Sequence, residues 1–398
     1  MADTASIAQR VPSLKRLTVL AGALLLAACE TIVPRGAPPP EAPPPPPRPV
    51  VERPITPELP QDTERHRVAL LVPMSGSNAR VGQSLANATT LALLDTRSER
   101  VRITTYDTAL GAAAAAQRAV AEGNRLILGP LLSEDVRAVA PIARRANVPV
   151  LAFSNDVSVA GNGVFVMGYT PAQSIERVVE YAKSRGVTDF AGLMPSGLYG
   201  QRASTALLNA VRDGGGTVVS MESYDARPAA LNGAVAKLTA GSPFQAVMVA
   251  DAAATAARAA PLVKRGAGAG ARLLGTELWN TETNLAANAA LNGAWFASVS
   301  NTLYRQYATK YRARFQAAPY RLSSLGYDSV LLTVRIARDW RPGTAFPAGR
   351  LTGGEGFAGI DGAFRFMRDG VVQRALEVQE IRGGTVATVS PAPRSFGD

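Results

Sequence analysis

A run of apolar residues, Val68-Ala69-Leu70-Leu71-Val72, followed by Pro73-Met74-Ser75-Gly76, places the tightest constraint on this chain. Such a run suits a strand buried on both faces of a parallel sheet, where no solvent-facing side demands alternation. Pro73 ends it, because proline lacks the ladder donor and holds the preceding residue extended. Ser75, Gly76, Ser77 and Asn78 read as a turn. Beyond them Val81, Leu85, Ala88 and Ala92 recur at helical spacing, in a helix that passes through Gly82 towards Asp95. Strand, polar turn and helix make the opening half of a βαβ unit. The turn lies at the strand's carboxyl end, where open α/β sheets bind their ligands.

The same pattern repeats. Strands are predicted from Val101 to Tyr106, at Leu126-Ile127-Leu128 before Gly129-Pro130, and from Val148 to Phe153 before Ser154-Asn155-Asp156. Helices fall between them: one from Ala112 to Glu122, and one opening at Ser133-Glu134-Asp135, with Ser133 as N-cap and acids near the positive end of the dipole. The pattern restarts at Thr170-Pro171-Ala172-Gln173, which reads as a capping box with proline in the first helical position and a helix to about Arg185. Strands at Phe190 to Met194, Thr217 to Met221, Ala246 to Ala250 and Arg272 to Leu274 then alternate with helices. Two long helical patterns, Thr302 to Gln316 and Ser323 to Trp340, precede strand-like segments near Phe364 to Phe366 and Val371 to Ile381. The implied class is α/β, with two parallel sheets flanked by helices and right-handed crossovers.

The first residues read as an address. Arg10, Lys15 and Arg16 precede an apolar stretch from Leu17 to Ala28, too short to span a bilayer comfortably. It ends in Leu26-Ala27-Ala28-Cys29, which resembles a bacterial lipobox, and Cys29 is the only cysteine in the chain. Residues 1–28 are therefore expected to be a signal peptide, with Cys29 lipidated and the mature protein held at a membrane. A single cysteine excludes a disulfide framework. Glu30 follows where an aspartate would retain a Gram-negative lipoprotein at the inner membrane, so the expected location is the periplasmic side of the outer membrane. Residues 29–64 are dominated by proline, including Pro43 to Pro47. Such a segment cannot form a core and is expected to be an extended spacer, reaching up to roughly 90 Å at about 3.1 Å per residue.

The formal charge is +11, and removing three basic residues and Asp3 with the signal leaves +9. The cations are scattered singly and not interleaved with aromatics, so nucleic acid is not an expected partner. Acidic proteins and anionic envelope polymers fit that charge better. Catalytic groups are scarce. His66 is the only histidine and lies at the edge of the spacer, so a Ser-His-Asp arrangement is missing in its usual form. No GxSxG elbow occurs, and zinc would lack His and Cys ligands. The glycines from Gly266 to Gly270 precede a strand and no lysine follows, so they form a loop and not a phosphate cradle. Neither an enzyme nor a cofactor is expected.

The ordered set of Val68 to Gly76 with Gly82, Leu128-Gly129-Pro130 with Ser133, and Val148-Pro149-Val150 leading to Phe153-Ser154-Asn155 resembles the type I periplasmic binding proteins of the branched-chain amino-acid-binding group. Tyr199-Gly200, Gly326-Tyr327-Asp328 and Phe357, Gly359, Gly362, Phe364 and Phe366 continue the order. That resemblance implies two lobes with a ligand cleft between them: 66–168 with 300–345 as the first, 169–298 with 346–385 as the second, and 386–398 as a tail. It further implies that Ser75, Ser133, Ser154 and Asn155 would hold a ligand carboxylate, and Tyr199, Asp251 and Glu277 its ammonium. Leu131, Leu132 and Phe153 stand where such binders carry more polar or smaller residues, which narrows and dries the cleft. A lipid-anchored member with a proline-rich tether is similar to the lipoprotein activators of penicillin-binding proteins, although the helical-repeat domain of the longer activators is missing. The expected function is binding and stimulation of a peptidoglycan synthase. The alternative is delivery of a branched-chain or related amino acid to an ABC transporter.

Overall fold

The computed structural model describes residues 64–393, apart from 283, together with Phe396. The signal peptide, Cys29 and the proline-rich spacer lie outside the described residues. The first lobe begins with β1 (His66–Val72), α1 (Ala79–Thr96), β2 (Val101–Asp107), α2 (Ala112–Ala121), β3 (Leu126–Leu128), α3 (Ser133–Arg145), β4 (Val150–Ala152) and β5 (Val164–Val166). The chain crosses into α4 (Pro171–Ser184), β6 (Asp189–Pro195), α5 (Leu198–Asp213), β7 (Thr217–Tyr224), α6 (Pro228–Ala240), β8 (Ala246–Val249), α7 (Ala253–Val263), β9 (Arg272–Gly275) and β10 (Trp295–Ser298). It then returns through α8 (Thr302–Phe315) and α9 (Ser323–Ala337) to β11 (Phe357–Gly359), β12 (Gly362–Phe366), β13 (Val372–Arg374), β14 (Glu377–Arg382) and β15 (Thr385–Ser390).

The first sheet has the order β2-β1-β3-β4-β5 and is parallel throughout. The second runs β15-β14-β10-β9-β8-β6-β7, with β14 and β15 antiparallel at one end. Strand order reverses between β1 and β3 in the first sheet and between β6 and β8 in the second. Loops after those strands diverge and leave a crevice, which is where such sheets accept ligands.

Burial explains the uninterrupted apolar runs. In β1, Val68, Leu70 and Val72 join a core with α1 and α9, while Ala69 and Leu71 join a second core with α2 and α3. Each buried leucine is worth about 1.5–3 kcal/mol relative to exposure. The second lobe repeats the device: Ala191 and Leu193 of β6 face one core, and Phe190 and Met194 the other. In each lobe the helix that follows the first strand is seated by a glycine. A Cβ on Gly82 would lie 1.8 Å from the Pro73 carbonyl oxygen, and one on Gly200 would lie 1.6 Å from that of Pro195. The helix N-termini therefore close directly onto the strand-ending prolines, which brings the intervening turns to the sheet edge.

Several elements differ from the sequence expectation. Residues 346–385 do not pack as one piece with the second lobe. Phe357, Phe364, Phe366 and Val372 belong to the core of the first lobe, and Val371 bridges to Val166 beside β5. Only β14 and β15 join the second sheet. Residues assigned to the tail form part of β15, whose alternating pattern is weak because it is a half-exposed edge strand. Ser133 is the first helical residue and not the N-cap, and no side chain caps α3. The Thr170 hydroxyl likewise makes no backbone cap. It accepts instead from Gln173 Nε2 at 3.2 Å, although Pro171 does open the helix.

Candidate functional site

The residues singled out in the first lobe sit at the carboxyl edge of its sheet, Ser75, Ser154 and Asn155 on loops and Ser133 at the start of α3. Ser75, in the turn after β1, donates to Asp107 Oδ2 at 2.7 Å, and the Met74 N–H donates to Asp107 Oδ1 at 2.8 Å. Burial pushes the Asp107 carboxyl up, but these bonds and one from Ala109 outweigh it and hold the group below the usual range. Ser154 is buried and its hydroxyl accepts from the Asp156 N–H at 3.1 Å, a local turn bond. Ser133 accepts from Arg137 at 3.2 Å. Asn155 is exposed and lines a cavity of about 330 Å³ together with Thr170, Leu198, Gln201, Arg202 and Asn209. Phe153 is wholly packed into the first core, and Leu131 lies against it.

In the second lobe the structure brings Tyr199 and Glu277 together. The Tyr199 hydroxyl donates to Glu277 Oε1 at 3.0 Å and lies 3.0 Å from Thr276 Oγ1. Ser174, in the first turn of α4, donates to the other Glu277 oxygen at 2.5 Å. Burial raises the Glu277 pKa despite those hydroxyls, and burial with the neighbouring Glu277 charge raises that of Tyr199. Asp251 is held separately. It accepts from Tyr224 at 2.8 Å and from the Ala252 N–H at 2.7 Å, while Trp279 donates to its backbone oxygen. Both acids are thus engaged by groups of their own lobe.

Sequence reasoning missed the residues that join the lobes. Asp156, only 3% exposed, follows β4 and forms ion pairs with Arg137 of α3, at 2.7 Å, and with Arg202 of α5 in the other lobe. The Ser158 N–H and hydroxyl also donate to it, at 2.9 and 2.5 Å. Burial pushes its pKa up, yet Ser158 and Arg202 outweigh burial and hold the carboxyl far below the usual range. The crossing segments add a second link. Arg321 pairs with Asp361 at 2.8 Å, with both side chains buried. Tyr169 bonds to Asp361 and lies 2.8 Å from Ser324 Oγ, and Arg374 donates to the Met167 carbonyl at 2.6 Å. Asp328 of α9 accepts from the Ile360 N–H at 2.7 Å. Burial, then the Asp361 charge, pushes Asp328 up to about 7, while Arg321 and Arg374 outweigh burial to keep Asp361 low. Asp328 was visible only as part of a motif; its partners lie tens of residues away and carried no local signal.

Residues 66–385 match the family described as periplasmic binding protein. The chain belongs to that family. This periplasmic binding protein is 19% identical to a Rhodospirillum rubrum protein assigned to branched-chain amino-acid ABC transport, with a TM-score of 0.70 over 82% of this chain and 100% of that one. It is 19% identical to a leucine-binding protein of Thermotoga maritima, with a TM-score of 0.61 over 82% and 98% of the two chains. Full-length LpoA of Haemophilus influenzae aligns with a TM-score of 0.63 and 18% identity, over 83% of this chain but 60% of LpoA. These likenesses establish the two-lobed type I fold. In sequence, the protein is 27% identical to an uncharacterized Rickettsia prowazekii protein over 174 residues, which span 43% of this chain and 47% of that protein. Among the described residues, no group of three or more His, Cys, Asp or Glu is placed to hold a metal, and no helix is long and apolar enough to cross a membrane. His66 is buried and stacks on Trp340 at 3.9 Å, and burial lowers its pKa.

Proposed function

We propose that the protein is an envelope lipoprotein, anchored through Cys29 at the periplasmic side of the outer membrane, whose two-lobed body binds and activates a peptidoglycan synthase. The observation that carries this reading is the Arg137–Asp156–Arg202 bridge, which ties the lobes with the chain's own charges. A receptor that closes on a ligand leaves its gripping groups open for that ligand. Here Glu277 is satisfied by Ser174 and Tyr199, and Asp251 by Tyr224 and its own loop. A body linked in this way suits the presentation of a fixed surface. The likeness to LpoA and the spacer behind Cys29 support the same reading.

The test is capture of a penicillin-binding protein by the full chain, followed by glycan-polymerisation and crosslinking assays on the captured synthase. Stimulation of either step is expected. Mass spectrometry of the mature amino-terminal peptide should show acylated Cys29, and an unacylated cysteine refutes the anchor. Halving the spacer should abolish stimulation in cells but not in solution, since tethering sets reach and not the contact itself.

The second reading is a solute receptor for a branched-chain or related amino acid. It is favoured by the Tyr199–Glu277 pair, which lies at the sheet edge where a ligand ammonium would be held. A thermal-shift screen with amino acids separates the two, because any ligand that prefers the native state raises its melting temperature. Recovery of a permease together with micromolar amino-acid binding, roughly −8 kcal/mol, overturns the synthase reading.

A further inference from the structure

The amino edge of the first sheet carries more positive charge than the fold uses. Its five strands are parallel and start at one edge, and the helices between them return to that edge to end. The end of α9 lies there too, since Trp340 stacks on His66 and Arg100 donates to the Arg338 carbonyl at 2.8 Å. Arg97 and Arg338 are the C-cap residues of α1 and α9, Arg144 and Arg145 close α3, and Arg125 precedes β3. All five are exposed, and among the described residues none has a side-chain hydrogen bond or an ion pair. Nearby acids are mostly committed elsewhere. Glu122 accepts from Tyr106 at 2.5 Å, Asp339 pairs with Arg350 at 2.7 Å, and Asp95 pairs with Lys310 at 2.9 Å. Glu64 and Glu99 offset only part of the charge.

The helix dipole favours cations at helix ends and accounts for some of this placement. It gives no reason for Arg125, which stands before a strand. Two further features belong to the same edge. Arg338 lines a cavity of about 500 Å³ with Arg350, Gly353, Gly354 and Phe357, within the size range of small-molecule sites. Leu94, in the last turn of α1 beside Arg97, is 51% exposed.

We propose that the amino edge of the first lobe docks on an anionic phospholipid surface. The proposal rests on the anchored-lipoprotein reading above, and the course of the chain argues for this occupant. Glu64 leads straight into β1 at this edge, 35 residues beyond Cys29. A tether of that length holds the edge near the bilayer at an effective concentration on the order of millimolar. Each cation brought close to an anionic membrane surface favours binding by about fivefold, so a few contacts suffice on a tether and stay reversible. The carboxyl edge lies opposite, so docking turns the loops after β1 and β3 away from the bilayer, towards a protein partner.

The test is co-sedimentation with vesicles of phosphatidylethanolamine and phosphatidylglycerol at about 0.1 M salt, where surface charges still act over roughly 10 Å. It uses the chain from Pro60 onward, a compact unit that contains all four hydrophobic cores, so that no lipid anchor contributes. The parent should bind these vesicles and not vesicles of phosphatidylcholine. Replacing Arg97, Arg125, Arg144, Arg145 and Arg338 with Gln should lower affinity about tenfold or more, since about fivefold rides on each cation that touches. The control replaces Arg185, Arg212, Lys237, Lys264 and Arg265, at the corresponding helix ends of the second lobe, and should lose far less. Where the first variant melts at a lower temperature, Arg125→Gln with Arg144→Gln and Arg145→Gln, which spares both C-caps, decides against a matched triple control. Equal losses in the two sets mean diffuse attraction and overturn the proposal, as does absence of vesicle binding by the parent. Binding to isolated peptidoglycan sacculi without binding to vesicles makes the wall polymer the occupant and overturns it too. These outcomes are separate from the synthase reading, which stands or falls on capture by the full chain, and from the anchor, which mass spectrometry of Cys29 decides.

Discussion

Replacing Asp156 with alanine should open the two lobes. Asp156 is 3% exposed, and its carboxylate receives two bonds from Ser158 and ion pairs from Arg137 and Arg202. Removing one partner of a buried ion pair costs about 3–5 kcal/mol, because the remaining charges lose their compensation. The Arg137 side chain is 55% exposed and rehydrates readily, so its arm contributes no more than about 1 kcal/mol. The Arg202 side chain is 24% exposed and loses more. A total of about 2–4 kcal/mol is expected for Asp156→Ala, most of it in the cross-lobe arm. Urea unfolding measures the loss, and small-angle scattering measures the radius of gyration. Asp156→Ala and Arg202→Ala should both expand the body, whereas Arg137→Ala should leave its size unchanged. The carboxyl's pKa is lowered in the fold, so its contribution is full above the ordinary carboxylate range and fades only as pH falls through the lower folded value. An Arg202→Ala protein as stable and as compact as the parent would refute the reasoning, as would equal effects from the two arginines.

The buried Asp328, pushed up to about 7, should act in the opposite sense. Its folded pKa exceeds the unfolded one, so its stabilising contribution is full below the ordinary carboxylate range and is lost as pH rises through about 7. Asp328→Asn should flatten that decline in urea midpoints measured from acid to neutral pH, and an unchanged slope contradicts the assignment. Glu277→Gln keeps one acceptor oxygen and turns an amide N–H towards the other hydroxyl, which can donate instead to the Pro171 carbonyl or to Thr276, so it should shift stability by about 1 kcal/mol or less, whereas Glu277→Ala removes both carboxylate acceptors and should cost about 1–3 kcal/mol. If Glu277 grips a ligand ammonium, calorimetry will instead show binding abolished by the Gln variant. Gly82→Ala and Gly200→Ala force a methyl onto the Pro73 and Pro195 carbonyls and should each cost about 1–3 kcal/mol or more, read as a drop in melting temperature.

The α/β class and the order of most elements were determined locally. Val68 to Val72 and Ala246 to Val249 are apolar throughout because helices cover both faces of their strands, and that pattern needs no tertiary information to read. Pro73, Gly129-Pro130 and the glycines at 214–216 likewise end their elements through backbone chemistry alone. The carboxyl-edge position of Ser75, Ser133, Tyr199, Asp251 and Glu277 followed from strand order and turn chemistry. Four strands escaped because they are short or at an edge: β5 and β11 span three residues each and β10 four, and β15 is half exposed. Only the tertiary structure decided where residues 357–374 pack, since their Phe and Val side chains would serve either lobe and the choice was made by the first lobe's core. Only the tertiary structure paired Asp156 with Arg202, 46 residues away, or Arg321 with Asp361, 40 residues away. An ionic partner is selected by proximity in space, and a charged residue's own sequence neighbourhood carries no mark of which opposite charge the fold will bring to it.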